Sequence, residues 1–284
     1  MKNVVGRMIV SVASGKGGTG KTTVAVSLAL SLNLKVQLLD CDVEGPNDQI
    51  FFQAKNFSEK VVYQMVPEVD EKVCEYCGKC AQFCKFNAIA VVPKKVIIFP
   101  EICHGCGGCT LLCPKKALSE RERPIGVVRR ASIGNVELVY GELNAGEPLP
   151  VPVVREVKRH LCKDRVAIID APPGTSCPVI HSIYGSDYCI LVTEPTPFGL
   201  HDLRLMVDVV RALGIPFGVI VNKGGFGDRK VYEYCEKEGI RILLEIPFDK
   251  KIAEFYSKGV ALVGGFPEWQ KHFQALFERI KKVV

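Results

Sequence analysis

The sequence contains no apolar run of the roughly 18 residues that would carry it across a bilayer as a helix. It has no block of five like charges and no stripe of clustered Lys and Arg. Its net charge of +6 over 284 residues reads as a mixed solvated surface, and no nucleic-acid partner is expected. No two of its five histidines stand at a metal-ligand spacing. The short apolar run in MKNVVGRMIVSVASGKGG leads into a glycine loop without an A-x-A-like cleavage site. It is read as a strand rather than a signal peptide, and a cytoplasmic location is expected. What remains is a chain that is 48% hydrophobic and 24% charged, enough to bury a core as one large domain or one domain with an insertion.

Cysteine is not scarce. There are 13, and eight of them fall between Cys74 and Cys113. Without a signal peptide, disulfides are disfavoured and metal ligation is favoured.

The apolar pattern gives the architecture. Met8–Ala13 and Val36–Asp40 read as buried strands, with a helix over Thr22–Leu32 between them. Val166–Asp170, Tyr188–Thr193, Pro216–Asn222 and Ile240–Ile246 repeat the strand signal, with helical connectors over Leu200–Leu213 and Val231–Glu238. Alternating strands and helices predict an α/β fold with a doubly wound, mostly parallel sheet. Gly126–Leu143 reads as a hairpin about Gly134-Asn135. The grammar breaks over residues 65–118, read as an inserted small α+β domain within a discontinuous α/β domain of residues 1–64 and 119–284.

Residues 15–22 match G-x-x-x-x-G-K-[ST] through Gly15, Gly20, Lys21 and Thr22. Glycines let backbone N–H groups face phosphate oxygens, and the following helix adds its positive end. Lys21 is placed to reach the β/γ-phosphates and Thr22 to ligate Mg²⁺.

A second lysine, Lys16, makes the loop resemble the deviant Walker A pattern of the MinD/ParA/nitrogenase-reductase ATPases. Asp40-Cys41-Asp42 with Gly45-Pro46 resembles the D-x-D-x-x-G-P of the Mrp-type branch, and Asp170-Ala171-Pro172-Pro173-Gly174 its D-x-P-P-G. Asn222-Lys223 and Ile246-Pro247-Phe248-Asp249 resemble its N-[KR] and I-P-x-D loops. The resemblance covers roughly 1–64 and 119–284. It implies a P-loop NTPase fold that binds ATP through Gly15, Lys16, Gly17, Gly18, Thr19, Gly20, Lys21, Thr22, Thr23, Asn222, Pro247 and Asp249. It places Thr22, Asp40 and Asp170 at Mg²⁺ and gives Asp42 the attacking water; a helix cap in a polar loop is the plainer reading of Asp42. It also implies an ATP-dependent homodimer in which Lys16 reaches the partner's phosphates, so the catalytic set is Lys16, Lys21 and Asp42.

Within the break, Cys74, Cys77, Cys80 and Cys84 are spaced C-x-x-C-x-x-C-x-x-x-C, and Cys103, Cys106, Cys109 and Cys113 repeat the spacing 29 residues later. This is the bacterial ferredoxin run, in which the fourth cysteine ligates the other cluster. One [4Fe–4S] cluster is expected on Cys74, Cys77, Cys80 and Cys113, and a second on Cys84, Cys103, Cys106 and Cys109. Zinc also uses C-x-x-C pairs but does not need triplets with a distal fourth. Pro114 follows the second run, whereas Lys85 takes that place in the first.

The other signals are weaker. Cys177, just past the D-x-P-P-G loop, stands where nitrogenase reductase has a cluster-binding cysteine, but the spacing is offset by one and a buried small residue is favoured. Cys41, Cys162, Cys189 and Cys235 are expected in the core. Trp269, Phe273, Phe277 and Ile280 share a helical face, read as packing on the core rather than on a membrane. The chain is expected to be an ATP-gated redox protein with an unidentified redox partner or client; a cluster-assembly carrier and a redox-sensing positioning ATPase are the alternatives.

Overall fold

The computed structural model describes residues 8–52 and 57–284. The first seven residues of the N-terminal stretch read above lie outside them. In chain order the elements are β1 (Met8–Ala13), α1 (Lys21–Ser31), β2 (Val36–Asp40), β3 (Ser58–Val69), α2 (Lys79–Phe83), β4 (Ile89–Val92), β5 (Lys95–Ile98) and α3 (Gly108–Leu111). They continue with β6 (Leu118–Ile133), β7 (Val136–Leu143), α4 (Val151–Arg159), β8 (Val166–Asp170), α5 (Cys177–Ile183), β9 (Tyr188–Thr193), α6 (Pro197–Ala212) and β10 (Phe217–Gly224). The chain closes with α7 (Lys230–Lys237), β11 (Ile242–Pro247), α8 (Lys250–Ser257), α9 (Leu262–Gly265) and α10 (Trp269–Lys281).

One sheet runs β11-β10-β9-β1-β8-β2-β7-β6-β3. From β11 to β7 every neighbour is parallel; β6 and β3 are antiparallel additions. β1, β2, β8 and β9 are buried at every position, because helices cover both faces of a parallel sheet. Val10, Val12, Leu38 and Ile168 face α1 and α10, where Leu28, Phe273, Phe277 and Ile280 complete a core. Ala13, Leu191 and Val219 pack under α5, α6 and α7, and Ile9, Leu39 and Ile169 pack with Val153, Val154 and Val157 of α4. Each such aliphatic side chain contributes about 1.5–3 kcal/mol on burial. The last helix therefore packs on the core, as its spacing predicts.

β6 and β3 outrun the sheet. Gly126 pairs with Leu143, the last residue of β7, and Val62 pairs with Gly126. Beyond that point Tyr63–Val69 and Leu118–Pro124 continue only as a two-stranded ribbon, after a bulge at Ile125. Seven residues at about 3.3 Å each carry it roughly 20 Å past the sheet. β7 is parallel to β2, so the ribbon rises from the edge at which Asp40 lies. At its tip sit α2, α3 and the β4–β5 hairpin, with all eight cysteines of the repeat. The ribbon passes through residues 64–65 without a break, so the nine-stranded sheet and the cysteine segment share their strands.

Candidate functional site

The loop after β1 turns under α1 in the left-handed conformation at Gly20, where φ is +97°. A Cβ there would stand 2.2 Å from Asn222 Nδ2, so only glycine fits. Asn222 Nδ2 donates to Thr19 O at 2.8 Å, and its Oδ1 accepts from Lys223 N at 2.9 Å. The loop is thereby fastened to the end of β10.

A cavity opens above this loop. Gly17, Gly18, Gly20, Lys21, Thr22, Thr23, Asp42, Asn222, Pro247 and Asp249 line it, together with Asn47, Lys223, Phe248 and Tyr256. Of the remaining residues expected at the nucleotide, Gly15 sits against Asp202, and Thr19 is buried behind the loop. Asp249 also caps α8, accepting from Lys251 N at 2.8 Å.

Asp40 and Asp170 end adjacent strands and lie behind the cavity. Thr22 Oγ1 donates to Asp170 Oδ2 at 2.6 Å. Asp40 accepts the N–H groups of Asp42, Asn47 and Asp48 at 3.0, 2.9 and 3.1 Å. Burial pushes Asp40 up to about 8, with the charge of Asp170 adding to the rise. Burial likewise lifts Asp170 to about 7, against the pull of Lys21 and the Thr22 hydroxyl. The Asp42 carboxyl is raised by burial and drawn back by Lys21. Oxygen donors at this spacing suit a hard cation such as Mg²⁺.

Lys16 does not point into the cavity. Its Nζ is ion-paired with Glu194, which also holds Lys223 Nζ at 2.8 Å. Burial works against the charged glutamate, but both lysines outweigh it and hold its pKa below the ordinary value. Sequence reasoning missed Glu194 and Asp48. Glu194 directly follows β9 much as Asp40 and Asp170 close β2 and β8, and that position was the available signal.

The eight cysteines separate into two cavities. Cys74, Cys77, Cys80 and Cys113 line one, with Val69, Val91 and Val96. Cys84, Cys103, Cys106 and Cys109 line the other, with Met65, Pro67 and Phe86. Backbone donors reach the sulfurs in matched pairs 29 residues apart. Tyr76 N and Gly105 N face Cys74 Sγ and Cys103 Sγ at 3.4 and 3.5 Å. Ala88 N and Ala117 N face Cys84 Sγ and Cys113 Sγ at 3.3 and 3.2 Å. Tyr76 and Gly105 both take positive φ, 54° and 62°, to make these bonds. Burial pushes the Cys80, Cys103 and Cys109 thiols up, so a cation is needed to hold them as thiolates. Four cysteines lining one cavity, with N–H donors to their sulfurs, fit a soft, thiolate-bound metal group.

The scattered cysteines divide. Cys41, Cys189 and Cys235 are buried as expected. Burial lifts Cys41 and Cys189 to about 12, leaving them neutral. Cys162 is half-buried, with its N–H donating to Gln37 Oε1 at 3.1 Å. Cys177 is exposed at the start of α5, which corrects the expectation of a buried small residue: the loop before it turns its first helical residue outward. Among the described residues no helix is long and apolar enough to cross a membrane.

A parallel α/β sheet with a phosphate loop after its first strand and acids closing the adjacent strands defines a P-loop ATPase of the MinD/ParA type. The chain belongs to the CobQ/CobB/MinD/ParA nucleotide binding domain family, whose pattern matches residues 10–263. An uncharacterised protein of Methanocaldococcus jannaschii is 34% identical over 261 residues, 89% of this chain and 90% of that protein. The iron–sulfur cluster carrier protein of Aquifex aeolicus is 28% identical, covering 97% of this chain and 68% of the relative. The septum site-determining protein MinD of Pyrococcus horikoshii, solved with Mg-ADP, has the same fold at a TM-score of 0.58 and 21% identity, covering 98% of this chain and 96% of that one.

Proposed function

We propose that the chain is an ATPase in which nucleotide-dependent pairing of two copies gates electron transfer through two [4Fe–4S] clusters. The observation that carries this reading is the division of eight cysteines into two four-sulfur cavities, each made of three near neighbours and one distant residue. Residues 65–118 are then an inserted ferredoxin-like domain within an ATPase domain of 1–64 and 119–284. Each bound cluster supplies a one-electron couple. Cys74, Cys77, Cys80 and Cys113 hold one, and Cys84, Cys103, Cys106 and Cys109 the other. The N–H donors of Tyr76, Ala88, Gly105 and Ala117 stabilise negative charge on sulfur.

On the nucleotide, Lys21 holds the terminal phosphates, Thr22 with Asp40 and Asp170 holds Mg²⁺, and Asp42 positions the attacking water. Asn222, Pro247 and Asp249 form the base side of the cavity. Lys16 leaves Glu194 and neutralises phosphate charge on the second copy.

The test is a redox titration of the anaerobic protein with and without ATP, followed by electron paramagnetic resonance. At least one midpoint is expected to move with ATP. Midpoints and transfer rates indifferent to nucleotide overturn the gating, and zinc in place of iron and sulfide overturns the clusters.

The names of the carrier relatives favour a second reading, in which the clusters are cargo released under ATP control. Transfer of labelled iron to an apo-acceptor decides between the two.

A further inference from the structure

Asp48 has no part in the phosphate chemistry above. It lies two residues past Gly45-Pro46, in the single turn Asp48–Phe51. Its side chain is wholly buried, and neither carboxylate oxygen has a partner. Oδ1 of Asp170 is unpartnered too. Oxygens of Asp40, Asp48 and Asp170 lie within 4.8 Å of one another. The backbone enforces the grouping, since the Asp48 N–H itself donates to Asp40 Oδ2 at 3.1 Å.

Three buried carboxyl groups so close cannot all ionise unless a proton or a cation supplies the opposing charge. Hydrogen bonds do not relieve Asp48, because none reaches it. The distances suit a shared ion. Ligands on opposite sides of a hard divalent cation, at about 2.0–2.5 Å each, stand about 4–5 Å apart. An all-oxygen, all-carboxylate donor set selects Mg²⁺, Mn²⁺ or Ca²⁺ over softer metals.

We propose that Asp40, Asp48 and Asp170 form a resident site for one hard divalent cation, which this chain holds before any nucleotide arrives. Asp48 is the ligand that frees the site from its dependence on phosphate oxygens. The inference deepens the reading of the neighbouring cavity as a nucleotide site, but metal binding does not require that reading to hold. The cation lies behind Thr22, whose hydroxyl is bonded to Asp170. Asp40 in turn holds the N–H of Asp42. A resident ion therefore fixes the loop carrying Asp42 in advance.

The test uses the full anaerobic holoprotein stripped of nucleotide, with Mn²⁺ alone as the probe. Counting free Mn²⁺ by electron paramagnetic resonance is expected to give one bound ion per chain. Asp48→Asn is expected to bind it at least tenfold more weakly. Thermal unfolding supplies a second readout. Mn²⁺ raises the melting temperature of the parent but not of D48N. Should D48N not fold, D48S carries the same expectation. No Mn²⁺ bound by the parent without nucleotide, or equal binding by the variants, overturns the site. Binding of a fluorescent ATP analogue to the parent is measured separately. Its failure would sink the nucleotide reading and leave the Mn²⁺ count standing.

Discussion

Glu194 holds the signature lysine inside its own subunit, and replacing it by Gln tests what Lys16 is for. In the proposed paired state Lys16 must leave Glu194 to reach the second copy. The cost can be bounded from the geometry. The glutamate side chain is 12% exposed and Lys16 is 31% exposed, so the pair is screened on one side only. An exposed pair is worth about 0.2–1 kcal/mol and a hydrogen bond to a charged group about 1.5–3 kcal/mol. A value of about 1 kcal/mol per Lys16 is reasonable after discounting for solvent. Two copies release two lysines, so Glu194→Gln removes about 2 kcal/mol of opposition to pairing, roughly 30-fold in the dimer dissociation constant. Sedimentation velocity with a slowly hydrolysed ATP analogue reads this directly. E194Q is expected to pair between five- and 30-fold more tightly than the parent, and the added change Lys16→Ala should abolish the gain. Pairing that is unchanged or weaker, or a gain that survives K16A, refutes the latch.

Acid should release the same contact. Glu194 sits below its ordinary value of 4.5, so the stability it contributes is present above that pH and is lost as pH falls through the folded value. Between pH 5 and pH 3 the parent should lose more unfolding free energy than E194Q in urea titrations. Cys80→Ser should remove one cluster and Cys109→Ser the other, each leaving half the iron and sulfide of the parent by chemical analysis. Gly20→Ala forces a Cβ against Asn222; overpacking of about 1–3 kcal/mol should appear as a roughly fivefold or greater loss of nucleotide affinity by calorimetry. Asn144 joins the end of β7 to the ribbon, its N–H donating to Ile125 O at 2.9 Å and its side chain to Pro124 O at 3.3 Å. Asn144→Ala should weaken any nucleotide-dependent change in hydrogen exchange at Val66–Val69 while leaving cluster content intact.

The parallel core was legible because its strands are buried on both faces and read as unbroken β-branched runs, as in MIVSVA and VAIID. β3 was not. SEKVVYQMVPEV lies at the sheet edge, with solvent on one side and Pro67 within it, so its alternation is diluted by charge. The outer half of β6, LSERERP, carries four charges in seven residues for the same reason. The predicted hairpin about Gly134-Asn135 is present, but its first strand begins at Leu118 rather than Gly126. Motif spacing singles out the phosphate loop and the two cysteine runs because those groups are local in sequence. The partners of Lys16 and Asp170 were illegible because Glu194 is 178 residues from the lysine and Asp48 is 122 residues from Asp170. Only the strand order β9-β1-β8-β2 brings those loops together.

The cysteine segment is doubled in its scaffold but not in its covers. Cysteines, sulfur-directed N–H groups and positive-φ residues all repeat at 29 residues, down to Asn87 and Lys116 at 53° and 51°. The side chains over the two cavities break the symmetry. Beside Cys74, Glu75 is ion-paired with Lys115 at 2.8 Å. At the equivalent positions beside Cys103, His104 stacks on Phe86, with ring centroids 3.5 Å apart. One cover is charged and the other aromatic, and the groups around a cluster are among the factors that set its potential. Position differs as well. The Cys103 cavity touches Met65 within the ribbon, whereas the Cys74 cavity touches Val69 at its end. Clusters filling these two sites would therefore differ both in potential and in distance from the sheet edge that carries Asp40. In the proposed reading, a doubled scaffold with unequal covers, raised on a ribbon from the nucleotide edge, would give electrons passing between the clusters a direction, which two identical centres would not.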